Sequence, residues 1–143
     1  MRVLSVRRHE GDLDELLAQA DAVVVTLPST DETRGLLSRE RIGRLRRGAI
    51  FVNVGRGDVV DEQALVAALR DGRIAGAALD VFAEEPLPPD SPLWDMENVI
   101  VSPHTAAQSL RENERIVELF GENVRRYLAG EELRTPIDTT LFY

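Results

Sequence analysis

A chain of 143 residues, 43% hydrophobic and 29% charged, is long enough for one soluble globular domain with a single core. Its net charge of −8 and pI near 4.8 argue against a nucleic-acid partner, although basic clusters at residues 2–8 and 39–47 leave room for a small anionic ligand. With no cysteine, disulfides, thiolate metal sites and cysteine nucleophiles are excluded, and apolar runs such as 22–26 and 49–54 are far too short to span a bilayer.

Residues 1–3, MRV, open without the long apolar stretch of a signal peptide, so a cytoplasmic protein is expected. RVLSV (2–6) is β-branched and leucine-rich and reads as a first strand ending in Arg7-Arg8. DLDELLAQA (12–20) follows with Leu13, Leu16, Leu17 and Ala20 at helical spacing and acids in its first turn. DAVVVTLP (21–28) is a second strand, stopped by Pro28, and STDETRGLLS is turn chemistry. SRERIGRLRRG (38–48) is a short basic amphipathic helix, and AIFVNV (49–54) is a third strand. DEQALVAALRDG (61–72) is a helix with Asp61 at its head, Leu65, Ala68 and Leu69 on one face, and Gly72 as terminator. IAGAALDVF (74–82) is a fourth strand, residues 83–98 form a proline-rich loop, and VIVSPH (99–104) is a fifth strand. Residues 105–128 suggest one long helix, and the tail from 129 has no clear element.

Continuous apolar strands alternating with helices predict an α/β fold: a doubly wound parallel sheet of about five strands with helices on both faces. Ligands of such sheets bind at the carboxyl ends of the strands. That rule gathers Arg7-Arg8, Leu27-Pro28, Gly55-Arg56-Gly57, Asp80 and Pro103-His104 along one crevice.

GRGDVV at 55–60 begins like the phosphate-binding G-x-G-x-x-G, but its third position is Val60. Three readings fit: a degraded phosphate loop, an ordinary strand-to-helix turn, or a site built around Arg56. A guanidinium between glycines suits bidentate binding of a carboxylate, whereas in a plain turn it would point into water. His104 ends the last strand, and an imidazole, with an unperturbed pKa of roughly 6.5, suits proton transfer near neutrality; a structural histidine is the alternative. Either Glu84 or Glu85 could orient an imidazole, or both could be solvated loop carboxylates. Asp80 could accept hydrogen bonds from a ligand or cap its own loop. His9, after two arginines, reads as a loop residue, and no metal site is expected.

NVGRGDVVDEQAL, AGAALDVFAEEPLP and NVIVSPHTAAQS, in this order, resemble the three consecutive signatures of the D-isomer-specific 2-hydroxyacid dehydrogenases, over about residues 2–128. The resemblance implies a partial Rossmann-like domain binding NAD(P). It gives Arg56 the substrate carboxylate and carbonyl, singles out Glu85 over Glu84 as support for the histidine, and makes His104 the acid/base. It brings Asp80 to the nicotinamide end and places Leu27, Pro28, Val54, Gly55 and the 105–107 turn, with Ala106 and Ala107, against the cofactor. The implied substrate is a small 2-hydroxy or 2-oxo acid of the glyoxylate or hydroxypyruvate type, and the implied assembly a homodimer. Arg7 and Arg8 stand where the second strand of a nucleotide-binding unit meets the adenosine ribose, and a guanidinium pair there leans toward NADP. By the same resemblance, residues 1–130 are a cofactor domain lacking its first strand and G-x-G-x-x-G loop, and 131–143 are a remnant of the link to a substrate domain. The alternative is a truncated, non-catalytic remnant, or a nucleotide-binding, corepressor-like module of the same fold.

Overall fold

The computed structural model describes residues 1–6 and 12–138. Met1–Ala106 form one compact unit and Ala107–Tyr143 a second. The first holds helix α1 (Leu13–Gln19), strand β1 (Ala22–Val25), helix α2 (Arg39–Arg44), strand β2 (Ile50–Asn53), helix α3 (Glu62–Arg70) and strands β3 (Gly76–Leu79) and β4 (Val99–Val101). The strands are all parallel in the order β1-β2-β3-β4, with Val25 beside Asn53, Asn53 beside Leu79, and Leu79 beside Val101.

The period of two along the strands separates the faces of the sheet. Val25, Phe51, Ala77 and Leu79 point to the buried face, where they meet Leu17 of α1, Ile42 of α2, and Leu65 and Leu69 of α3 in one core. Full burial of each large side chain in this group is worth about 1.5–3 kcal/mol. The helices start where the sequence supplies a cap. Asp12 accepts from the Asp14 and Glu15 amides at the head of α1, and Asp61 accepts from the Ala64 amide at 2.8 Å at the head of α3.

One expectation needs correction. Residues 2–6 form no strand: Val3 and Leu4 are exposed and pair with no strand among the described residues, so the sheet of the described residues has four strands, not five. An apolar run becomes a strand only where an edge is there to receive its backbone hydrogen bonds. Within residues 1–106, α2 packs beside both α1 and α3 on one face of the sheet. On the other face Val24 and Ile100 are 60% and 70% exposed. The strand order explains this. A sheet built in one direction by right-handed crossovers puts every connecting helix on the same side, and cover on the second side requires the winding to reverse.

In the second unit, α4 (Glu112–Ala129) begins seven residues later than the expected helix and ends at Gly130, whose φ of 71° is left-handed. Asn123 fastens the tail to the helix by accepting from the Arg134 amide at 2.8 Å and donating to its carbonyl at 3.2 Å. No helix of the described residues is long and apolar enough to cross a membrane.

Candidate active site

The first group of site residues follows β2. Asn53, the last residue of that strand, turns a fully buried amide toward the next loop. Its Oδ1 accepts from the Gly55 amide at 3.0 Å and its Nδ2 donates to the Arg56 carbonyl at 3.1 Å. The glycines on either side of Arg56 are required by close approach. A Cβ on Gly57 would lie 1.8 Å from the Phe82 carbonyl oxygen, and one on Gly55 would lie 2.7 Å from that of Leu27. The turn between the glycines is therefore packed from both sides, while the Arg56 side chain is exposed and donates to the Gly55 carbonyl at 2.7 Å.

A second group follows β3 and β4. Asp80 is buried, yet both of its oxygens are engaged. Oδ1 accepts from the Ser102 hydroxyl and from the Thr105 amide at 2.9 Å, and Oδ2 from the Ala106 amide at 2.8 Å. Burial alone would push this carboxyl up; the donors from Ser102, Ala106 and Thr105, helped by the nearby His104, outweigh it and hold the group below its ordinary value. The main chain of His104 is tied to the same residue, its amide donating to the Asp80 carbonyl at 2.9 Å. His104 itself has a φ of 55°, a left-handed conformation uncommon outside glycine.

Glu85 completes the arrangement. Its Oε2 stands 2.8 Å from His104 Nδ1, and its Oε1 accepts from the Phe82 amide at 3.0 Å. Burial opposes the charge on Glu85, but the His104 contact, the Phe82 amide and the Arg56 guanidinium prevail and lower its pKa. The open alternative between the two glutamates is thereby decided by geometry, since it is Glu85 that meets the imidazole. With Nδ1 occupied, Nε2 is the nitrogen left to face a ligand.

Arg56, Glu85 and His104 line one open cleft of about 280 Å³, together with Ser29, Gly57, Asp58, Phe82 and Ala83. Leu27 and Pro28 leave β1 at the same sheet edge, and Val54, whose amide donates to the Val25 carbonyl at 3.0 Å, leaves β2 beside them. Ala106 takes part through its amide to Asp80, and Ala107 opens the second unit. Arg7 and Arg8 lie outside the described residues. Asn53, Ser29 and Asp58 were not picked out from the sequence. Asn53 had a signal, as the one polar residue inside the apolar run 49–54. Ser29 had none beyond its turn, although its hydroxyl donates to Asp58 Oδ2 at 2.5 Å across 29 residues of chain.

The family model for the D-isomer specific 2-hydroxyacid dehydrogenase NAD binding domain matches residues 3–106. The chain belongs to this family. Its relatives include a glyoxylate reductase of Korarchaeum cryptofilum, 42% identical over 92% of this chain and 43% of the relative, and a glyoxylate/hydroxypyruvate reductase B of Yersinia pestis, 45% identical over 82% of this chain and 36% of the relative. Among solved structures, a D-isomer specific 2-hydroxyacid dehydrogenase of Xanthobacter autotrophicus in complex with NADPH is 52% identical with a TM-score of 0.80, covering 88% of this chain and 51% of that one. An NADPH-dependent glyoxylate/hydroxypyruvate reductase of Sinorhizobium meliloti in complex with NADP is 35% identical with a TM-score of 0.84, covering 92% and 42%. The chain thus spans less than half the length of these curated relatives.

Proposed function

We propose that this NAD(P)-binding domain carries the proton-transfer and carboxylate-binding groups of a cytoplasmic 2-oxoacid reductase acting on a small acid of the glyoxylate or hydroxypyruvate type. The observation that carries the reading is the 2.8 Å contact between His104 Nδ1 and Glu85 within a cleft that Arg56 also lines. A carboxylate on Nδ1 fixes the ring and its tautomer and leaves Nε2 to exchange a proton with the substrate oxygen at C2. In reduction the imidazolium gives that proton; in oxidation the neutral ring takes it. Arg56 presents a fork that matches a carboxylate and stabilises charge developing on the adjacent oxygen.

The edge also suits a nicotinamide cofactor. Val54 is exposed just past the carboxyl end of β2, the edge at which such sheets take their ligands, and is proposed as an apolar contact for the ring. The bound nicotinamide would supply the hydride for C2 of the substrate. The residues proposed for its contacts are Leu27, Pro28, Val54, Gly55, Asp80, Ala106 and Ala107, mostly through main chain.

NADP is the preferred cofactor in this reading, because Arg7 and Arg8 supply guanidinium groups for a 2′-phosphate where NAD-preferring units use an acid. The Xanthobacter and Sinorhizobium structures, in complex with NADPH and NADP, are consistent with it. A homodimer is proposed as well, since exposed Val24, Ile50 and Ile100 leave apolar surface on the open sheet face. Titration calorimetry of the chain with NADPH and NADH tests the cofactor reading. Tighter NADPH binding, lost in the Arg7→Ala/Arg8→Ala double variant while NADH binding stays, is expected; tighter NADH binding by the parent chain overturns it.

A further inference from the structure

Among the described residues, two polar side chains are buried, Asn53 at 2% and Asp80 at 4% exposure. They are neighbours. Asn53 ends β2, Asp80 follows the end of β3, and the Asp80 amide donates to the Asn53 carbonyl at 2.9 Å. Asn53 lies on the buried face of the sheet with Val25, Phe51 and Leu79, and Asp80, one residue past Leu79, is buried at the end of the neighbouring strand. Burying an amide or a carboxylate there is unfavourable unless its hydrogen bonds are made.

Those bonds go to different loops. The Asn53 side chain bonds the Gly55 amide and the Arg56 carbonyl, bracketing the arginine. Asp80 bonds Ser102, Thr105 and Ala106, and its carbonyl receives the His104 amide, bracketing the histidine. The two side-chain types are not interchangeable. Asn53 meets one donor and one acceptor, as an amide can, whereas Asp80 meets three donors and no acceptor, as only a carboxylate can.

We propose that Asn53 and Asp80 form one buried polar platform that fixes the arginine loop against the histidine loop, with Asn53 the positioning residue for Arg56. The inference rests on the reading of Arg56 as carboxylate anchor and His104 as proton donor. A small 2-oxoacid holds its carboxylate and its reacting oxygen on adjacent carbons, so the two groups must keep a fixed spacing. A misplacement of about 1 Å in such a pair can lower the rate by about 100-fold.

The test uses Asn53→Asp, which keeps the acceptor for Gly55 and removes the donor to Arg56, and Asp80→Asn as its counterpart. Oxamate, an unreactive amide analogue of glyoxylate, is titrated into the chain, and the Gly55, Arg56, Thr105 and Ala106 amides and the Arg56 Nε are followed by nitrogen NMR relaxation. Asn53→Asp is expected to weaken oxamate binding about tenfold, the equivalent of one hydrogen bond's worth of ~1.4 kcal/mol. It should also raise the mobility of Arg56 while leaving Thr105 and Ala106 as they were. Asp80→Asn should mobilise Thr105 and Ala106 first. Oxamate affinity within about twofold of the parent, with the Arg56 amide and Nε equally ordered, overturns the proposal. Should the parent chain bind no oxamate, the anchor reading of Arg56 fails for the chain, and the platform stands or falls on the relaxation data alone. Asn53→Ser, which retains one of the two bonds, replaces Asn53→Asp if that variant does not fold.

Discussion

The two loops that meet in the cleft are held by opposite means. The arginine loop is fixed by a neutral amide and by the absence of two side chains, with the Gly57 Cα pressed against the Phe82 carbonyl. Its backbone is relaxed, since Arg56 is extended at φ −142° and ψ 143°. The histidine loop is fixed by a buried carboxylate that gathers three donors, and its central residue sits in a left-handed conformation. Steric closeness is indifferent to pH and intolerant of added volume. Charge-assisted hydrogen bonding tolerates volume better and is lost on protonation. One site therefore has two distinct points of failure.

The largest expected effect separates the roles of the loops. In a chain that turns over glyoxylate or hydroxypyruvate, His104→Asn should lower kcat by about 10²–10⁴, the usual contribution of a positioned acid/base. Arg56→Lys, which retains charge but loses the fork, should raise KM and lower kcat by less than His104→Asn does. Steady-state kinetics on the pair checks this, and a KM effect for both would merge the two roles.

Next in size is volume at the arginine loop. Gly57→Ala sets a methyl carbon 1.8 Å from one Phe82 backbone atom and 1.9 Å from another, neither of which can swing aside. A loss of about 1–3 kcal/mol or more in urea denaturation is expected, without change in the acid limb of the stability curve. Unaltered stability would mean that the close packing is not what holds this loop.

The subtlest effect is the pH dependence of the histidine loop. Asp80 is held below the ordinary aspartate value of 3.8, and Glu85 below the ordinary glutamate value of 4.5. A carboxyl whose folded pKa is depressed stabilises the fold above its unfolded pKa, and that contribution is lost as pH falls through the folded value. Below about pH 4, therefore, the parent chain should lose stability that Asp80→Asn does not have to lose. At neutral pH that variant should be less stable by about 1–3 kcal/mol, because an amide leaves buried donors unmatched. Denaturant midpoints across the acid range decide it, and parallel acid limbs for parent and variant would remove the carboxylate from the account.

Much of this was legible in the chain. Apolar runs of four to six residues broken by Pro28, Gly55 and Asp80 gave the strands and their carboxyl ends, because parallel strands buried among neighbours have no polar face to interrupt them. Arg56 and His104 stood out as residues whose chemistry exceeds what a strand end needs, whereas Glu85 was singled out over Glu84 only by the family resemblance. The misreadings have a common cause, which is that pattern reports propensity and not partners. RVLSV has every strand preference but pairs with nothing described, and residues 105–111 have helix-compatible spacing but precede α4. Asn53 escaped notice because a lone polar residue in an apolar run looks like an edge position until its two bonding partners are known.

The left-handed backbone at His104 bears on how the chain can change. Glycine adopts a φ of 55° freely, whereas a residue with a Cβ gives up on the order of 1 kcal/mol to stay there. Replacing the histidine by glycine relieves that strain but gives up the 2.8 Å contact with Glu85 and loosens the unfolded chain, so the exchange removes the proposed proton donor while its backbone gain is offset. A programme to harden the domain therefore keeps position 104 as it is and seeks its gains in the helix caps and the exposed sheet face.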